Sequence, residues 1–298
     1  MHSANAGVIR IGVGGWVYEP WRGTFYPQKH PLKRELEYAS RRLGSIEING
    51  TFYRSQKPES FAKWRDETPD DFVFSVKGPR FATHRTTLAD AGESIERFFA
   101  SGVLELGHKL GPINWQFPTS RSFVAPDFEA FLKLLPASVD GRRLLHAVEV
   151  RHESFRNARF VALAREHGVA IVVSGDSAFP QIADPSAPFV YARIMGTKES
   201  EPAGYPAREL DRWAARAKAW ASGAMPEGLD VVVSADASGE STIPRDVYLY
   251  VIAGHKERNP AAAMALIERT SRADDQRVVL EPDRPGNTRQ PSTKSDRA

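Results

Sequence analysis

Residues 146–176 read HAVEVRHESFRNARFVALAREHGVAIVVSGD. The stretch opens with a short apolar run, His146–Arg151, and closes with a second one, Ala170–Asp176. The segment between them carries an apolar stripe at the helical spacing i, i+3, i+4, i+7, formed by Phe160, Leu163, Ala164 and His167. A strand, an amphipathic helix and a second strand in this order predict a parallel β-α-β unit, because parallel strands need a crossover connection.

The same alternation continues along the chain in both directions. Eight apolar, β-branched runs are predicted strands: Ile9–Gly15, Ser45–Asn49, Phe72–Lys77, Pro112–Phe117, His146–Arg151, Ala170–Asp176, Phe189–Gly196 and Val247–Gly254. Segments with helical periodicity separate most of them, so the sequence indicates the α/β class. A doubly wound open sheet is the rival fold. Gly12-Val13-Gly14-Gly15 matches neither nucleotide-binding glycine motif, which favours a single (β/α)8 TIM-type barrel over residues 1–273.

Three segments depart from this regular pattern. Residues 177–188 are rich in Pro, Ala and Asp where a sixth helix is due, which predicts a reduced sixth unit. Residues 223–245 form an insertion before the last strand, and Leu229–Ala235 within it is a candidate extra strand. Residues 274–298 are polar and contain three prolines, which predicts a flexible C-terminal tail.

The composition narrows the class of protein. The 298 residues are 41% hydrophobic and 26% charged, which is typical of a globular protein. No run approaches the roughly 20 apolar residues of a membrane span, and residues 1–7 lack the features of a signal peptide. The absence of cysteine excludes disulfides, thiolate metal sites and a cysteine nucleophile. We therefore expect a cytoplasmic protein without a membrane partner; its oligomeric state cannot be read from the sequence.

Polar side chains interrupt the predicted strands near their C-terminal ends. Parallel strands covered on both faces are normally apolar almost throughout. Here six strands carry pairs of polar residues two positions apart: Glu47 and Asn49, Ser75 and Lys77, Asn114 and Gln116, Glu149 and Arg151, Ser174 and Asp176, and Tyr191 and Arg193. Residues two apart share a face of a strand, and the C-terminal ends of barrel strands hold catalytic groups. The recurrence predicts one polar pocket inside the barrel mouth.

Each member of this predicted pocket has a candidate role. We expect Glu149 and Asp176 to act as acid and base, with His84 assisting. Glu47 is either a further catalytic carboxylate or a brace to Lys77. The predicted substrate-binding set comprises Lys77, Arg151, Arg193, Asn49, Gln116, His152, Tyr53, Trp16 and Tyr191. Three cations in this set favour an anionic small molecule.

Several of these residues also admit other interpretations. Glu149 can serve as a structural partner of Arg151 or Lys77, Asp176 as a turn residue, and each histidine as an ordinary loop residue. Lys77 can form a Schiff base if its pKa is depressed. The aromatic residues after the first two strands can form either a rim over the pocket or a lid packed on the barrel. Lys198 and Lys256, in the seventh and eighth loops, are candidate phosphate ligands.

No cofactor is predicted from these residues. No H-E-x-x-H or comparable compact metal spacing occurs. A divalent metal would need ligands from separate strands, drawn from His84, His152, Glu149 and Asp176.

The motifs from Ile9 to Leu266 resemble the YecE-like family, domain of unknown function 72. The resemblance rests on Gly14-Gly15-Trp16 with Tyr18 and Trp21, Glu47-Ile48-Asn49 with Thr51-Phe52-Tyr53-Arg54, Thr83-His84, Gln116-Phe117-Pro118, Val148-Glu149-Val150-Arg151-His152 and Tyr191-Ala192-Arg193. It implies a TIM-barrel fold and supplies no reaction. The resemblance implies Asn where this chain has Ala253; if that Asn contacts a ligand, either the ligand or the way it is bound is expected to differ here.

Three functions follow as hypotheses. The first is an enzyme that performs general acid–base chemistry on a small polar or anionic substrate at the C-terminal ends of the strands; hydrolase, lyase and isomerase are not distinguished. The second, motivated by a pI near 9.1 and by fold analogy, is a metal-dependent phosphodiesterase of the apurinic endonuclease type that acts on nucleic acid. The third is a non-catalytic ligand-binding barrel.

Overall fold

A computed structural model describes residues 6–233 and 243–271. Eleven strands occur in these ranges: β1 (Ile9–Gly14), β2 (Ser45–Ile48), β3 (Val73–Lys77), β4 (Leu110–Gln116), β5 (Ser138–Val139), β6 (Arg142–Arg143), β7 (His146–Glu149), β8 (Ala170–Ile171), β9 (Val173–Gly175), β10 (Phe189–Ile194) and β11 (Asp246–Val251). The described α-helices are α1 (Glu35–Ser40), α2 (Gly50–Tyr53), α3 (Pro58–Asp66), α4 (Arg80–Thr83), α5 (Gly92–Ala100), α6 (Ala125–Leu134), α7 (Ala158–Glu166), α8 (Ala207–Ala221) and α9 (Asn259–Ser271).

Nine of the strands form one parallel sheet that closes through an interrupted sixth strand. The order is β8-β7-β4-β3-β2-β1-β11-β10-β9, with every described pairing parallel. The predicted strand Ala170–Asp176 is divided at Val172, so that β8 pairs with β7 and β9 pairs with β10. Eight strand positions therefore surround the barrel, as predicted, although the sheet counts nine segments.

The β-α-β unit at residues 146–176 forms as the sequence predicts. Helix α7 begins after Asn157, whose side chain accepts a hydrogen bond of 2.8 Å from the Arg159 N–H. The helix is followed by Gly168, which has φ +62°, a conformation that suits glycine at a helix end. Its residues Phe160 and Leu163 are fully buried against the sheet. This amphipathic face is what positions the two strands side by side.

The barrel has two separate apolar layers. The larger one lies between the sheet and the helices, and it includes the fully buried Trp115 and Phe74. The smaller one fills the barrel interior and consists of Ala147, Ala170, Val172, Phe189, Tyr191, Tyr248 and Tyr250. At Gly12 a Cβ atom would lie only 1.8 Å from the Ser45 carbonyl oxygen, so strand β1 needs glycine where it approaches β2.

The departures from a regular barrel were predicted in part. No helix occurs between β9 and β10 within the described chain, which confirms the reduced sixth unit. The predicted strand at Leu229–Ala235 is wrong for its described part, residues 229–233. There the Val232 and Val233 N–H groups donate to the buried carboxylate of Asp184, at 2.7 and 2.8 Å, instead of to a neighbouring strand.

Two further outcomes concern the ends of elements. The β5–β6 hairpin was not predicted, although its Asp140-Gly141 turn, with φ +49° and +75°, is a recognised hairpin signal. The predicted C-terminal tail, residues 274–298, lies outside the described residues. Within the described ranges no helix has both the length and the apolar character that a bilayer crossing requires.

Candidate active site

Two glutamates and one arginine meet inside the barrel near the C-terminal ends of the strands. Glu47 on β2 and Glu149 on β7 are fully buried, and Arg193 on β10 is 3% exposed. The guanidinium group of Arg193 donates to Glu149 Oε2 at 2.5 Å and to Glu47 Oε1 at 3.1 Å. The predicted convergence of these strand ends is therefore present, and one buried cation joins both carboxylates.

Arg151 covers Glu149 from the outer side. Its Nε and Nη2 atoms donate to Glu149 Oε1 at 2.8 and 2.6 Å, and its side chain is 21% exposed. The ring of Phe179, from the loop that replaces the sixth helix, lies 4.4 Å from the Arg151 guanidinium carbon. Arg151 is thus held between a carboxylate and an aromatic ring, with its Nη1 atom outside these contacts.

The cations keep Glu149 ionised. Burial by itself would raise the pKa of the Glu149 carboxyl group, but Arg193, Arg151 and Lys77 together lower that pKa to about 2. Asn114 adds a further donor, because its Nδ2 lies 3.2 Å from Glu149 Oε2 and 3.4 Å from Glu47 Oε2. A carboxylate with these partners does not release or take up a proton near neutral pH.

Glu47 is held by neutral donors as well as by Arg193. The Tyr191 hydroxyl donates to Glu47 Oε2 at 2.6 Å, and Ser75 Oγ lies 2.7 Å from the same hydroxyl. Burial, followed by the proximity of Glu47, raises the pKa of Tyr191 well above its usual value. The phenol therefore remains protonated and serves as a hydrogen-bond donor.

Lys77 lies beside this network and forms no salt bridge within the described residues. The side chain is on β3, only 5% of the residue is exposed, and Nζ donates to Gln116 Oε1 at 2.5 Å. Nζ also lies 4.2 Å from the centre of the Phe52 ring. Burial, and then the nearby Arg193, lower the pKa of Lys77 to about 8, against the opposing effect of Glu47 and Glu149.

Three polar atoms in the same interior are buried without a hydrogen-bond partner among the described residues. They are Arg193 Nε, Asn114 Oδ1 and Ser174 Oγ. Ser174 is the register partner of Arg193, so both side chains extend from neighbouring strands to the same face of the sheet. Buried polar groups normally have partners, so these atoms indicate an interior that accommodates water or a polar ligand group.

Asp176 does not join the charged network. The residue is exposed, has φ +50°, and accepts a 2.8 Å hydrogen bond from the Trp213 indole N–H. It also bonds to the Tyr205 hydroxyl, whose pKa rises through burial and then through this carboxylate. Asp176 therefore anchors α8 and the seventh loop to the end of the sixth strand.

The two candidate histidines occupy different positions. His152 accepts hydrogen bonds through Nδ1 from the Ser154 N–H and hydroxyl groups, which caps the short 3-10 helix Glu153–Phe155. This is a structural contact. His84 is exposed at the mouth, and its ring packs edge-on against Phe52 at 5.6 Å. Partial burial, and then the nearby Arg80, lower the pKa of His84.

The remaining predicted ligands lie outside the charged network. Asn49 is half-buried and its Nδ2 lies 3.5 Å from the Glu47 carbonyl oxygen. Tyr53 is 63% exposed. Trp16 packs against Trp64 in the layer between sheet and helices, with ring centres 5.1 Å apart.

The aromatic residues after the first strand form a packed layer. Trp21, Phe25 and Tyr26 are buried, and the Trp21 indole donates to the Lys256 carbonyl oxygen at 2.8 Å. This arrangement matches the predicted lid and not the predicted rim.

The two candidate phosphate ligands are both exposed. The backbone N–H of Lys198 donates to the Gly204 carbonyl oxygen, and Lys256 Nζ lies 4.9 Å from the centre of the Tyr18 ring.

Sequence reasoning missed three side chains of the site. Asn114 was recognised at a strand end but not assigned to ligand binding, although it joins both carboxylates. Phe52 on α2, which the sequence placed only in a rim or lid, and Phe179 in the loop after β9 contact Lys77 and Arg151 through their ring faces. Their only signal was an aromatic residue shortly after a strand end.

Among the described residues, no group of three or more His, Asp and Glu side chains is spaced to hold a metal ion. A separate cavity of about 130 Å³ lies outside the barrel, between α2, α4 and α5, and is lined by residues such as Phe81 and Phe98. It includes none of the charged residues described above.

Comparison with known proteins places the chain in a family. The "UPF0759 protein YecE" of Escherichia coli K12 is 29% identical over 149 residues, which is 50% of each chain. The "UPF0759 protein YunF" of Bacillus subtilis is 28% identical over 116 residues, 37% of this chain and 40% of YunF. The aligned part thus spans half or less of the length of these relatives.

Solved structures of low sequence identity share the fold. A DUF72 family protein of Thermotoga maritima is 21% identical with a TM-score of 0.59, over 87% of this chain and 97% of the other. One from Enterococcus faecalis is 15% identical with a TM-score of 0.63, over 94% of this chain and the whole of the other. The family described as "Protein of unknown function DUF72" matches residues 10–288. The chain therefore belongs to the DUF72 family.

Proposed function

We propose that this protein is an enzyme that binds the anionic group of a small molecule at the barrel mouth and transfers protons through Lys77. The observation that carries the proposal is the position of Lys77: a buried amine with no salt bridge to a carboxylate among the described residues, on which the charges of Arg193 and Arg151 act. A pKa of about 8 lets this amine exchange a proton near neutral pH. Proton donors and acceptors are most effective when their pKa is close to the working pH.

The glutamates have a positioning role in this proposal. Both Glu149 oxygens accept hydrogen bonds from cations, and its pKa of about 2 leaves it ionised. In this proposal Glu149 is therefore not assigned the general-acid role expected from the sequence. The role that remains for Glu47 and Glu149 is to neutralise Arg193, whose burial would otherwise be costly, and to orient Arg151.

The unused hydrogen-bonding atoms favour an anionic ligand group. Lys77 uses one of its N–H groups on Gln116, and Arg151 has Nη1 free of the contacts to Glu149. These are donors on positively charged groups, while the carboxylate oxygens beside them are already occupied. A carboxylate or phosphate offers only acceptors, so it complements this surface.

His84 is the candidate for proton exchange with solvent. It packs on the same Phe52 ring that lies beneath Lys77 Nζ, and its lowered pKa favours the neutral imidazole. A neutral imidazole can accept a proton, which suits a relay at the mouth. Asp176, bonded to Trp213 and Tyr205, is assigned to anchoring the seventh loop.

A metabolite-consumption assay tests the proposal. A bacterial metabolite extract is incubated with the wild-type protein, with Lys77→Met and with Lys133→Met, and its composition is followed by mass spectrometry. We expect one or more anionic compounds to be converted by the wild type and by Lys133→Met, whose altered lysine is exposed on α6, pairs with Glu129 and lies outside the network. Conversion by Lys77→Met should fall at least about 100-fold, the usual contribution of a proton-transfer group.

The opposite results would refute the proposal. If the wild type converted no compound, the catalytic hypothesis would be refuted in favour of a non-catalytic binding protein. If Lys77→Met converted the same compound at the wild-type rate, proton transfer through Lys77 would be excluded. Urea denaturation of each variant verifies that the compared proteins are folded.

A further inference from the structure

A second buried lysine shows what is unusual about Lys77. Lys109 is 3% exposed, similar to the 5% of Lys77. Its Nζ donates to the Arg65 and Thr68 carbonyl oxygens at 2.6 and 2.8 Å and lies 3.3 Å from the Thr68 hydroxyl. All three hydrogens of the Lys109 ammonium group therefore have oxygen partners, as a buried ammonium requires.

Lys77 is not surrounded in this way. Its one oxygen partner among the described residues is Gln116 Oε1, and Nζ lies 4.2 Å from the centre of the Phe52 ring. A charged ammonium group buried with one oxygen partner and two guanidinium neighbours is poorly solvated. The neutral amine has one hydrogen fewer to satisfy, and it carries a lone pair.

Resting on the proposed function, we propose that Lys77 is a nucleophile that forms a Schiff base with a small carbonyl compound bearing a carboxylate or phosphate group. Arg151, whose charge acts on Lys77 and whose Nη1 atom is outside the contacts to Glu149, is the group proposed to hold the anion. Nearby cationic groups and an apolar wall are the conditions that activate a lysine for this chemistry. The side chains of Arg193 and Phe52 supply them here.

The chemical step balances without a further reactant. The Nζ lone pair attacks the carbonyl carbon, a C–N bond forms, and the C–O π electrons move to oxygen. Loss of that oxygen with the two amine hydrogens releases one water molecule and leaves a C=N bond. His84, whose ring packs edge-on against Phe52, is the group assigned to moving those protons.

Site-resolved reductive labelling tests the inference. The intact wild-type protein is treated with glyoxylate, a small aldehyde that carries a carboxylate, and with cyanoborohydride, which reduces the C=N bond to a stable secondary amine. Peptide mass spectrometry then gives the labelling rate of each lysine. At pH 7.5 we expect Lys77 to react at least about tenfold faster than Lys109 and the exposed Lys198, because a pKa near 8 leaves far more neutral amine than the usual lysine value.

Two further measurements distinguish binding of the aldehyde at a specific carboxylate site from faster labelling that is due only to a lower lysine pKa. Excess acetate should slow labelling of Lys77 and leave Lys198 unchanged, since acetate competes only where a carboxylate site exists. The Lys77 rate should also rise with pH and level off above about 8, whereas Lys198 continues to rise.

The outcomes distinguish this inference from the proposed function. Labelling of Lys77 no faster than that of Lys109 or Lys198 would overturn the Schiff base. If the extract assay nevertheless showed conversion that depends on Lys77, proton transfer would stand without a covalent step. Because all rates come from one folded protein, no outcome depends on whether a variant folds.

Discussion

Replacement of Arg193 by methionine tests the electrostatic core of the site. Arg193 is 3% exposed and is bonded at 2.5 Å to Glu149 and at 3.1 Å to Glu47. Without it Glu149 keeps Arg151, but Glu47 keeps only the neutral donors Tyr191 and Asn114. Removal of one member of a buried ion pair typically costs about 3–5 kcal/mol, because the remaining charge is left uncompensated. We expect Arg193→Met to lose free energy of unfolding in that range.

Equilibrium urea denaturation, followed by tryptophan fluorescence, provides the measurement. The matched control is Arg269→Met, which removes a surface ion pair to Asp211 at 2.7 Å and should cost at most about 1 kcal/mol. The double variant Arg193→Met with Glu47→Gln removes the uncompensated carboxylate as well. It should be more stable than the sum of the single losses predicts, with a coupling of about 0.5–3 kcal/mol.

A small effect of Arg193→Met would refute this reasoning. If the loss were no larger than that of Arg269→Met, the two glutamates could not depend on Arg193 for neutralisation. Strict additivity in the double variant would also show that Arg193 and Glu47 do not interact in the folded protein. Either result would leave the ion-pair network without the energetic role assigned to it.

Two further predictions concern residues outside the network. Burial lowers the pKa of His146 to about 4 despite its hydrogen bond to the Pro136 carbonyl, and the Trp115 indole donates to its Nδ1. The pKa of His146 is lower in the folded than in the unfolded protein, so stability is lost as the pH falls from about 6.5 towards 4. Between pH 7 and 5 the free energy of unfolding of the wild type should therefore fall by about 2 kcal/mol more than that of His146→Gln, as measured by urea denaturation. Ala253 has φ +63°, which is unfavourable for alanine. Ala253→Gly should therefore raise the free energy of unfolding by about 0.5–1 kcal/mol. An unchanged or lower midpoint of urea denaturation would contradict this.

The fold and the network were predictable for the same physical reason. In a parallel barrel all strands run in one direction, and the pleat directs every second side chain inward. Polar residues at that spacing therefore had to meet at one end, and Glu47, Glu149 and Arg193 do so. The interruption of the sixth strand at Val172 gave no comparable signal, because the run Ala170–Val173 is uniformly apolar.

Residues beyond the strand ends were harder to place. The pleat no longer fixes their direction, so proximity in sequence does not predict proximity to the pocket. The Asp176 carboxylate accepts a hydrogen bond from Trp213, Trp16 packs against Trp64, and His152 caps a short 3-10 helix. Phe179, which lies farther along the loop than any predicted ligand of that strand, reaches Arg151.

The positions of the two glutamates were predictable, but the neutralisation of their charges by arginines was not. A sequence shows that two carboxylates share a barrel end, and such pairs often perform acid–base catalysis. That role requires environments that separate the two pKa values, and here Arg193 contacts both Glu47 and Glu149, while Arg151 adds a second cation to Glu149. Only the distances reveal this neutralisation.

The charge balance of the cluster is the reason for proposing Lys77 as its reactive member. Glu47 and Glu149 supply two negative charges, and Arg193 and Arg151 supply two positive charges bonded directly to them. Lys77 is the fifth charge, and it has no carboxylate partner within the described residues. Its burial cost is therefore uncompensated, and the two ways to relieve it are loss of its proton or binding of an anion. In the proposed function, loss of the proton gives the reactive amine, and binding of an anion places the substrate beside it.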